Sequence, residues 1–201
     1  MKKFMILAVM MIATLTASAQ QKVGTWSITP TGTFNLSSIV GDNTDNMSMK
    51  VAFGVGADAM YQLSDLVGLS GGLYYSMQGA NGSGDLKFNI DELQIPLLAN
   101  FYVYPNLALK VGLQPGFIVS ANIKDKFDKT ETDTDAKDDF QSVELSIPFG
   151  VSYEYRRFVF GMRYNLCLSK INKNSLQYTS GSWRNSVLMF TFGYKIPLGR
   201  H

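Results

Sequence analysis

Polar and apolar residues alternate along most of the chain, and this period of two constrains the fold more than any other feature. Successive side chains of a β-strand point to opposite faces of the sheet, so each alternating segment predicts a strand with one apolar and one polar face. In one of them Val51, Phe53 and Val55 alternate with alanine and glycine. Eight segments share the pattern, and they are residues 25–36, 51–62, 67–77, 93–104, 107–120, 142–154, 158–166 and 187–196.

The connections between these segments are alternately short and long. Tight turns are predicted at Ser64-Asp65, Pro105-Asn106 and Arg156-Arg157. The other connections are long and polar, and they are residues 38–49, 78–88, 123–141 and 169–185. Short turns at one end and long loops at the other are typical of outer-membrane barrels. We therefore predict an all-β fold, an eight-stranded antiparallel up-and-down transmembrane β-barrel that forms one domain over residues 20–201.

The sizes of the residues on the two faces indicate which face meets lipid. An eight-stranded barrel has an interior only wide enough for side chains to fill, and Phe, Leu and Ile on every strand would overfill it. Aromatic residues also gather near the tight turns, as an interfacial girdle would: Trp26, Tyr61, Tyr153, Tyr155, Phe158 and Tyr194. These features favour a membrane barrel. The alternative is a soluble, periplasmic lipocalin-like carrier whose apolar face lines a cavity.

The first residues have the pattern of an export signal. Lys2 and Lys3 precede an apolar stretch over residues 4–15, and Ala17 and Ala19 supply the small-residue pattern of a cleavage site. We predict a signal peptide over residues 1–19, cleaved after Ala19. The mature chain then carries 16 basic and 16 acidic residues, so it has no electrostatic footprint for nucleic acid.

The composition also argues against enzyme chemistry. Cys167 is the only cysteine, which excludes an intramolecular disulfide and any zinc site built from several cysteines. The only histidine, His201, follows the last predicted strand, so a triad with a positioned imidazole base is not expected. We predict a protein that is not an enzyme and has no cofactor and no metal.

Five charged residues are candidates for a network inside the barrel. Counted from the tight turns, they fall on the polar face at comparable heights along the barrel axis: Asp58, Lys110, Glu154, Arg163 and Lys195. Strand order is expected to place Lys110 beside Glu154, Glu154 beside Arg163, and Arg163 beside Lys195. Because buried charges persist only when they are paired and hydrogen-bonded, we predict a structural charge network. An ion path or gate is the alternative.

Other polar-face residues lie closer to the long loops. Glu92 and Glu144 are predicted above the charge network, and Cys167 is predicted as a buried small side chain. In the last loop, Tyr178 and Trp183 either contact a partner or belong to an upper aromatic girdle.

The loop over residues 123–141 is strongly charged. Its acidic residues are Asp125, Asp128, Glu131, Asp133, Asp135, Asp138 and Asp139, and its basic residues are Lys124, Lys126, Lys129 and Lys137. Clustered carboxylates suit calcium, but the glycine and the terminal glutamate of an EF-hand are missing. We expect a solvated, mobile surface loop, and cation binding by it stays an open alternative.

Four segments resemble a known family: residues 71–79 (GGLYYSMQG), 92–98 (ELQIPLL), 114–117 (QPGF) and 192–196 (FGYKI). They are similar to the PorT-type outer-membrane β-barrel family of the Bacteroidota. The resemblance spans the mature chain and implies an eight-stranded barrel in the outer membrane of a Gram-negative bacterium. It brings no catalytic residues with it.

These observations lead to an expected function. We expect a non-enzymatic barrel with a filled lumen and long extracellular loops, surrounded by outer-membrane lipid. Its loops would contact extracellular or envelope proteins in a structural or interaction role. A small transport protein or a component of a secretion apparatus is the alternative.

Overall fold

The computed structural model describes residues 21–42, 44, 47–82, 87–127, 130–135, 137, 141–171 and 182–198. The predicted signal peptide and its cleavage site therefore lie outside the described residues. The described chain is built of β-strands: β1 (Trp26–Gly41), β2 (Ser48–Gln62), β3 (Val67–Asn81), β4 (Lys87–Gln94), β5 (Leu97–Tyr104), β6 (Leu107–Phe127), β7 (Thr130–Asp135), β8 (Val143–Tyr155), β9 (Phe158–Cys167), β10 (Trp183–Tyr194) and β11 (Ile196–Leu198). This part of the chain contains no helix long and apolar enough to cross a membrane.

The sheet closes on itself because β1 pairs on both of its edges. Thr31 of β1 lies opposite Gly56 of β2 on one side and Gly193 of β10 on the other. All neighbouring strands are antiparallel and follow chain order around the ring. β4 and β5 together form one wall of the ring, and β10 and β11 form another. The predicted eight-stranded antiparallel barrel is confirmed.

The wall formed by β4 and β5 is interrupted at Ile95-Pro96 without losing its neighbours. Pro96 has no N–H to donate, but its carbonyl oxygen accepts from Gly72 N at 2.9 Å. On the other side Ile95 N donates to Pro115 O at 2.9 Å. The predicted fourth strand is thus two short strands joined by a hydrogen-bonded break.

Polar residues point into the barrel and apolar residues point outward. Thr29, Thr31 and Thr33 of β1 are buried, whereas Phe53 and Val55 of β2 are 60% and 63% exposed. The same alternation follows the other walls. An interior filled with polar side chains excludes the lipocalin-like alternative, in which the apolar face lines a cavity.

Aromatic side chains line the outer surface near the short turns. The rings of Trp26 and Tyr61 are 5.0 Å apart, and those of Phe158 and Tyr194 are 5.5 Å apart. Large amphipathic rings at the end of an apolar band are typical of a membrane interface. They mark the short-turn end of the barrel, as predicted.

The strands extend farther at the long-loop end than predicted. β1 continues to Gly41 and β3 to Asn81, so both enter segments predicted as loops. The prediction of a loop over residues 123–141 is also wrong in part. β6 continues to Phe127 and forms a hairpin with β7. Polarity does not alternate regularly in the first two extensions, where Ile39 and Val40 are adjacent and Gly79 and Ala80 follow one another, so the alternation did not reveal them.

A bulge at Val119 changes which residues of β6 face inward. Asp91 lies opposite Ser120, but the next residue, Glu92, lies opposite Ile118. The extra residue turns Ser120 outward and Ala121 inward, and Ala121 is 1% exposed. Strict alternation over the predicted segment 107–120 places Ser120 on the lumen face, and this is wrong because a period of two cannot register an inserted residue.

Two glycines of the barrel wall provide a matched test of this packing. A Cβ on Gly112 would meet the backbone of Leu97 at 1.9 Å, whereas a Cβ on Gly32, on the lipid face, would meet nothing within 4 Å. We expect Gly112→Ala to destabilise the barrel by about 1–3 kcal/mol, because β5 and β6 must move apart. Gly32→Ala is the control and should leave stability unchanged. The measurement is the temperature at which the folded band is lost on an unboiled gel, and equal temperatures for both variants would contradict the packing described.

Candidate functional site

The barrel interior is the candidate site, and its best-defined contact is an ion pair. Lys195 Nζ, at the break between β10 and β11, contacts Glu154 Oε2 of β8. Tyr102 Oη of β5 donates to the other oxygen, Glu154 Oε1, at 2.8 Å. All three side chains are buried. The pairing and the hydrogen bond satisfy a carboxylate that would be costly to bury alone.

Asp58 and Lys110 lie near this ion pair. Together with Glu154 and Lys195 they line a cavity of about 30 Å³. Tyr74 Oη donates to Asp58 Oδ2. The structure therefore brings four of the five predicted charged residues around one small polar space, which has the volume of about one water molecule.

Arg163 is placed differently from the prediction. In the register, Gly150 rather than Glu154 separates Lys110 from Arg163, and Arg163 lies beside Met189 rather than Lys195. Its guanidinium carbon is 5.4 Å from the ring centroid of Tyr74, and its Nη2 is 3.1 Å from Met189 Sδ. The predicted order of neighbours is wrong here because turn lengths and strand tilt set the heights of residues across the ring.

Tyr74 and Tyr102 are interior residues that were not among the predicted site residues. They are 2% and 4% exposed, although most large aromatic residues of the barrel face outward. Both stand at positions that alternate in step with the polar residues of their strands. This position in the alternation was the sequence feature that could have predicted an inward orientation. Each carries a hydroxyl that reaches a lumen carboxylate.

A layer of amides and carboxyls lies above the ion pair, toward the long loops. Glu92 and Glu144 are both buried in it, 0% and 4% exposed. Asn185 Nδ2 donates to Glu92 Oε1 at 3.1 Å and to Glu144 Oε2 at 2.8 Å. The structure thus brings together two glutamates that lie 52 positions apart in the sequence.

An apolar cap closes the barrel above this layer. It consists of Ile39, Ala80, Ile90, Ile118, Ala121, Cys167, Ile171 and Trp183, with Met47, Phe88 and Ile123 packed against it. The rings of Phe88 and Trp183 meet edge to face at 5.8 Å. A packed apolar layer at this end opposes the passage of water and ions into the lumen below.

The sequence pattern did not predict this cap, and Trp183 was expected in the last loop, in contact with a partner or in an upper aromatic girdle. Trp183 is 4% exposed and its Nε1 donates to Asp42 O at 3.2 Å, so the prediction of an outward-facing or girdle position is wrong. Tyr178 lies outside the described residues. Isoleucines beyond the predicted strand ends were the sequence feature that could have indicated the cap. Isolated apolar residues in a polar segment, however, do not show whether their side chains point into or out of the barrel.

Cys167 lies on the inward face of β9, as predicted. It is 4% exposed, and its thiol lies 3.0 Å from Ser169 O. This position makes it a packing residue of the cap.

The β6–β7 hairpin projects beyond the barrel wall. Lys124 lies opposite Asp133 and Lys126 opposite Glu131 in its register. Asp128, Asp138 and Asp139 lie outside the described residues, and the described part of the chain holds no cluster of three or more potential metal-ligating side chains.

Residues 18–173 match the family described as outer membrane protein beta-barrel domain. The chain belongs to this family. Together with the closed, apolar-walled ring, the match assigns the protein to the outer membrane. Among curated proteins, none is significantly similar to this sequence.

Solved structures of similar fold are also outer-membrane barrels. The chain is similar to Ail, the attachment invasion locus protein of Yersinia pestis, with a TM-score of 0.51 at 15% identity, covering 87% of this chain and 100% of Ail. It is likewise similar to neisserial surface protein A, with a TM-score of 0.51 at 14% identity, covering 85% and 97% of the two chains. At this identity the likeness shows the fold.

The ion pair of Glu154 and Lys195 is open to a double-mutant test. Lys195→Met leaves the Glu154 carboxylate buried without its cation, so we expect a loss of about 3–5 kcal/mol in unfolding free energy. Adding Glu154→Gln should recover most of that loss, because Tyr102 still has an acceptor and no charge is left unpaired. Urea unfolding in detergent micelles measures these two variants and Glu154→Gln alone, and strictly additive losses would show that the two side chains do not act as a pair.

Proposed function

We propose that this protein is a non-enzymatic outer-membrane anchor whose closed barrel presents extracellular loops to partner proteins of the cell envelope or its surroundings. The apolar cap carries the proposal, because a lumen sealed by packed isoleucine and tryptophan side chains is suited to rigidity rather than passage. The long-loop end, which is the extracellular end in this class of barrel, then carries the interaction surface.

The hairpin of β6 and β7 supports this role. It extends the wall into water by a ladder that runs from Asn122–Asp135 to Phe127–Thr130. Its sequence carries charged residues of both signs, a composition that suits contact with water and with a polar partner.

The finer affiliation rests on the four segments that resemble the PorT-type family of the Bacteroidota. In the structure, Glu92 and Gln94 of the ELQIPLL segment point inward and are buried, and Ile95-Pro96 forms the break between β4 and β5. We propose membership of that branch, together with export by a signal peptide that is cleaved after Ala19.

The sealed lumen leads to an electrical prediction. Protein inserted into a planar lipid bilayer should show no discrete conductance steps, because the cap and the polar layers beneath it fill the pore. A general porin in the same bilayer is the control. Reproducible steps would overturn the closed lumen and favour the small transport or secretion component instead.

The hairpin leads to a second prediction. Replacing residues 125–138 by a short glycine-containing turn should leave the folding temperature unchanged, because Ile123 and Gln141, which contact the cap and Ile171, are kept. A barrel that no longer folds would contradict the hairpin's assignment as an interaction surface.

Site-specific photo-crosslinking then tests the interaction itself. A photoreactive residue in place of Thr132 on the hairpin should give protein adducts on intact cells that the same residue in place of Asp65, in the opposite short turn, does not give. Identical adduct patterns at the two positions, or none at Thr132, would contradict the proposed surface.

A further inference from the structure

Two acidic side chains meet inside the barrel without a cation between them. Glu92 of β4 and Glu144 of β8 lie on either side of β6, and Asn185 of β10 bridges them through a single amide nitrogen, at 3.1 and 2.8 Å. The two carboxyl groups also lie within hydrogen-bonding reach of each other. This pair is separate from the ion pair of Glu154 and Lys195 and was not part of the predicted charge network.

A glycine leaves the space in which the two carboxyl groups meet. Gly116 of β6 lies opposite Gln94 on one side and Glu144 on the other. A Cβ at this position would lie 3.2 Å from Glu92 Oε2 and 3.8 Å from Glu144 Cβ. The middle strand, β6, therefore has no side chain at the position where the two carboxyl groups approach each other.

The surroundings of the pair are neutral. Gln78 of β3 and Gln94 of β4 donate to Glu92 Oε2 at 3.0 and 2.9 Å. On β9 the titratable group near Glu144 is the thiol of Cys167. On β6 and β8 the nearby polar groups are the Gln114 amide and the Ser146 hydroxyl, which bond to each other.

The lumen cations among the described residues bond to groups other than the two carboxyls. Lys50 of β2 donates to Asn89 Oδ1 at 2.6 Å and to Gln78 O at 2.9 Å. Lys195 contacts Glu154, and Arg163 lies against Tyr74 and Met189. Lys110 lines the lower cavity with Asp58. Among described residues, the side chains that hydrogen-bond to the two carboxyl groups are amides, the Cys167 thiol and the carboxyl groups themselves.

We infer that Glu92 and Glu144 together form a binding site for a single proton, shared between one oxygen of each carboxyl group. Two carboxyl oxygens form a hydrogen bond only if one of them carries a hydrogen. Two negative charges in contact would repel each other strongly in a medium of low dielectric constant. A metal ion is disfavoured, because the amide nitrogen of Asn185, a donor, occupies the position between the two carboxyl groups.

The shared proton joins β4 to β8 across β6 and makes the stability of the barrel depend on pH. The folded protein keeps a proton that ionised glutamates of the unfolded chain have released. Stability therefore falls as pH rises, and the ratio of folded to unfolded protein decreases by up to about tenfold per pH unit for one proton.

The experiment compares the pH dependence of urea unfolding in wild type and Glu92→Gln, in micelles above about pH 6, where exposed glutamates are ionised. The glutamine amide supplies the missing hydrogen permanently, so the variant should lose the one-proton slope of the wild type. Glu131→Gln on the hairpin is the matched control and should keep the wild-type slope. A Glu92→Gln variant with an unchanged slope would overturn the inference.

A spectroscopic measurement keeps the test valid if the variant does not fold. Infrared spectra of the wild-type protein at neutral pH should contain the carbonyl band of a protonated carboxylic acid, shifted in deuterated water. Absence of that band would overturn the inference. A stability that depends on a chelator of divalent cations instead of on pH would also overturn it, in favour of a metal ion.

Discussion

The closed ring of backbone hydrogen bonds is the constraint on which the rest of this structure depends. Lipid offers no partner for an N–H or C=O group, so every strand edge within the membrane must be paired. β1 meets this condition by pairing with β2 and also with β10, from Thr31–Gly193 to Gly41–Trp183. Even the break at Pro96 keeps hydrogen bonds to both neighbouring strands.

The ring in turn limits what the interior can contain. An eight-stranded barrel has room for one packed column of side chains, and this column is layered. The ion pair of Glu154 and Lys195 lies below the amide and carboxyl layer around Glu92, and the apolar cap lies above both. The glutamates of each polar layer are ion-paired or hydrogen-bonded within that layer, and the cap lies between the layers and the long-loop end.

Much of the fold was predictable because two different environments select the two faces of each strand. Thr31 and Phe53 were assigned to the correct faces by parity alone. The prediction failed where polar and apolar residues do not alternate with the two faces of a strand. These places are the bulge at Val119, the strand extensions and the buried Trp183. The order of charges around Arg163 failed for another reason, because heights across a tilted ring depend on register, which no local pattern records.

The sequence by itself determined the number of walls, their antiparallel order and the face that meets lipid, since alternation and loop length are local properties. Only the tertiary structure decided which lumen side chains meet. The pairing of Glu154 with Lys195, the contact of Glu92 with Glu144 and the sealing of the mouth by Trp183 all arise from register and closure. These depend on turns, bulges and the meeting of the first and last strands, which join residues far apart in the chain.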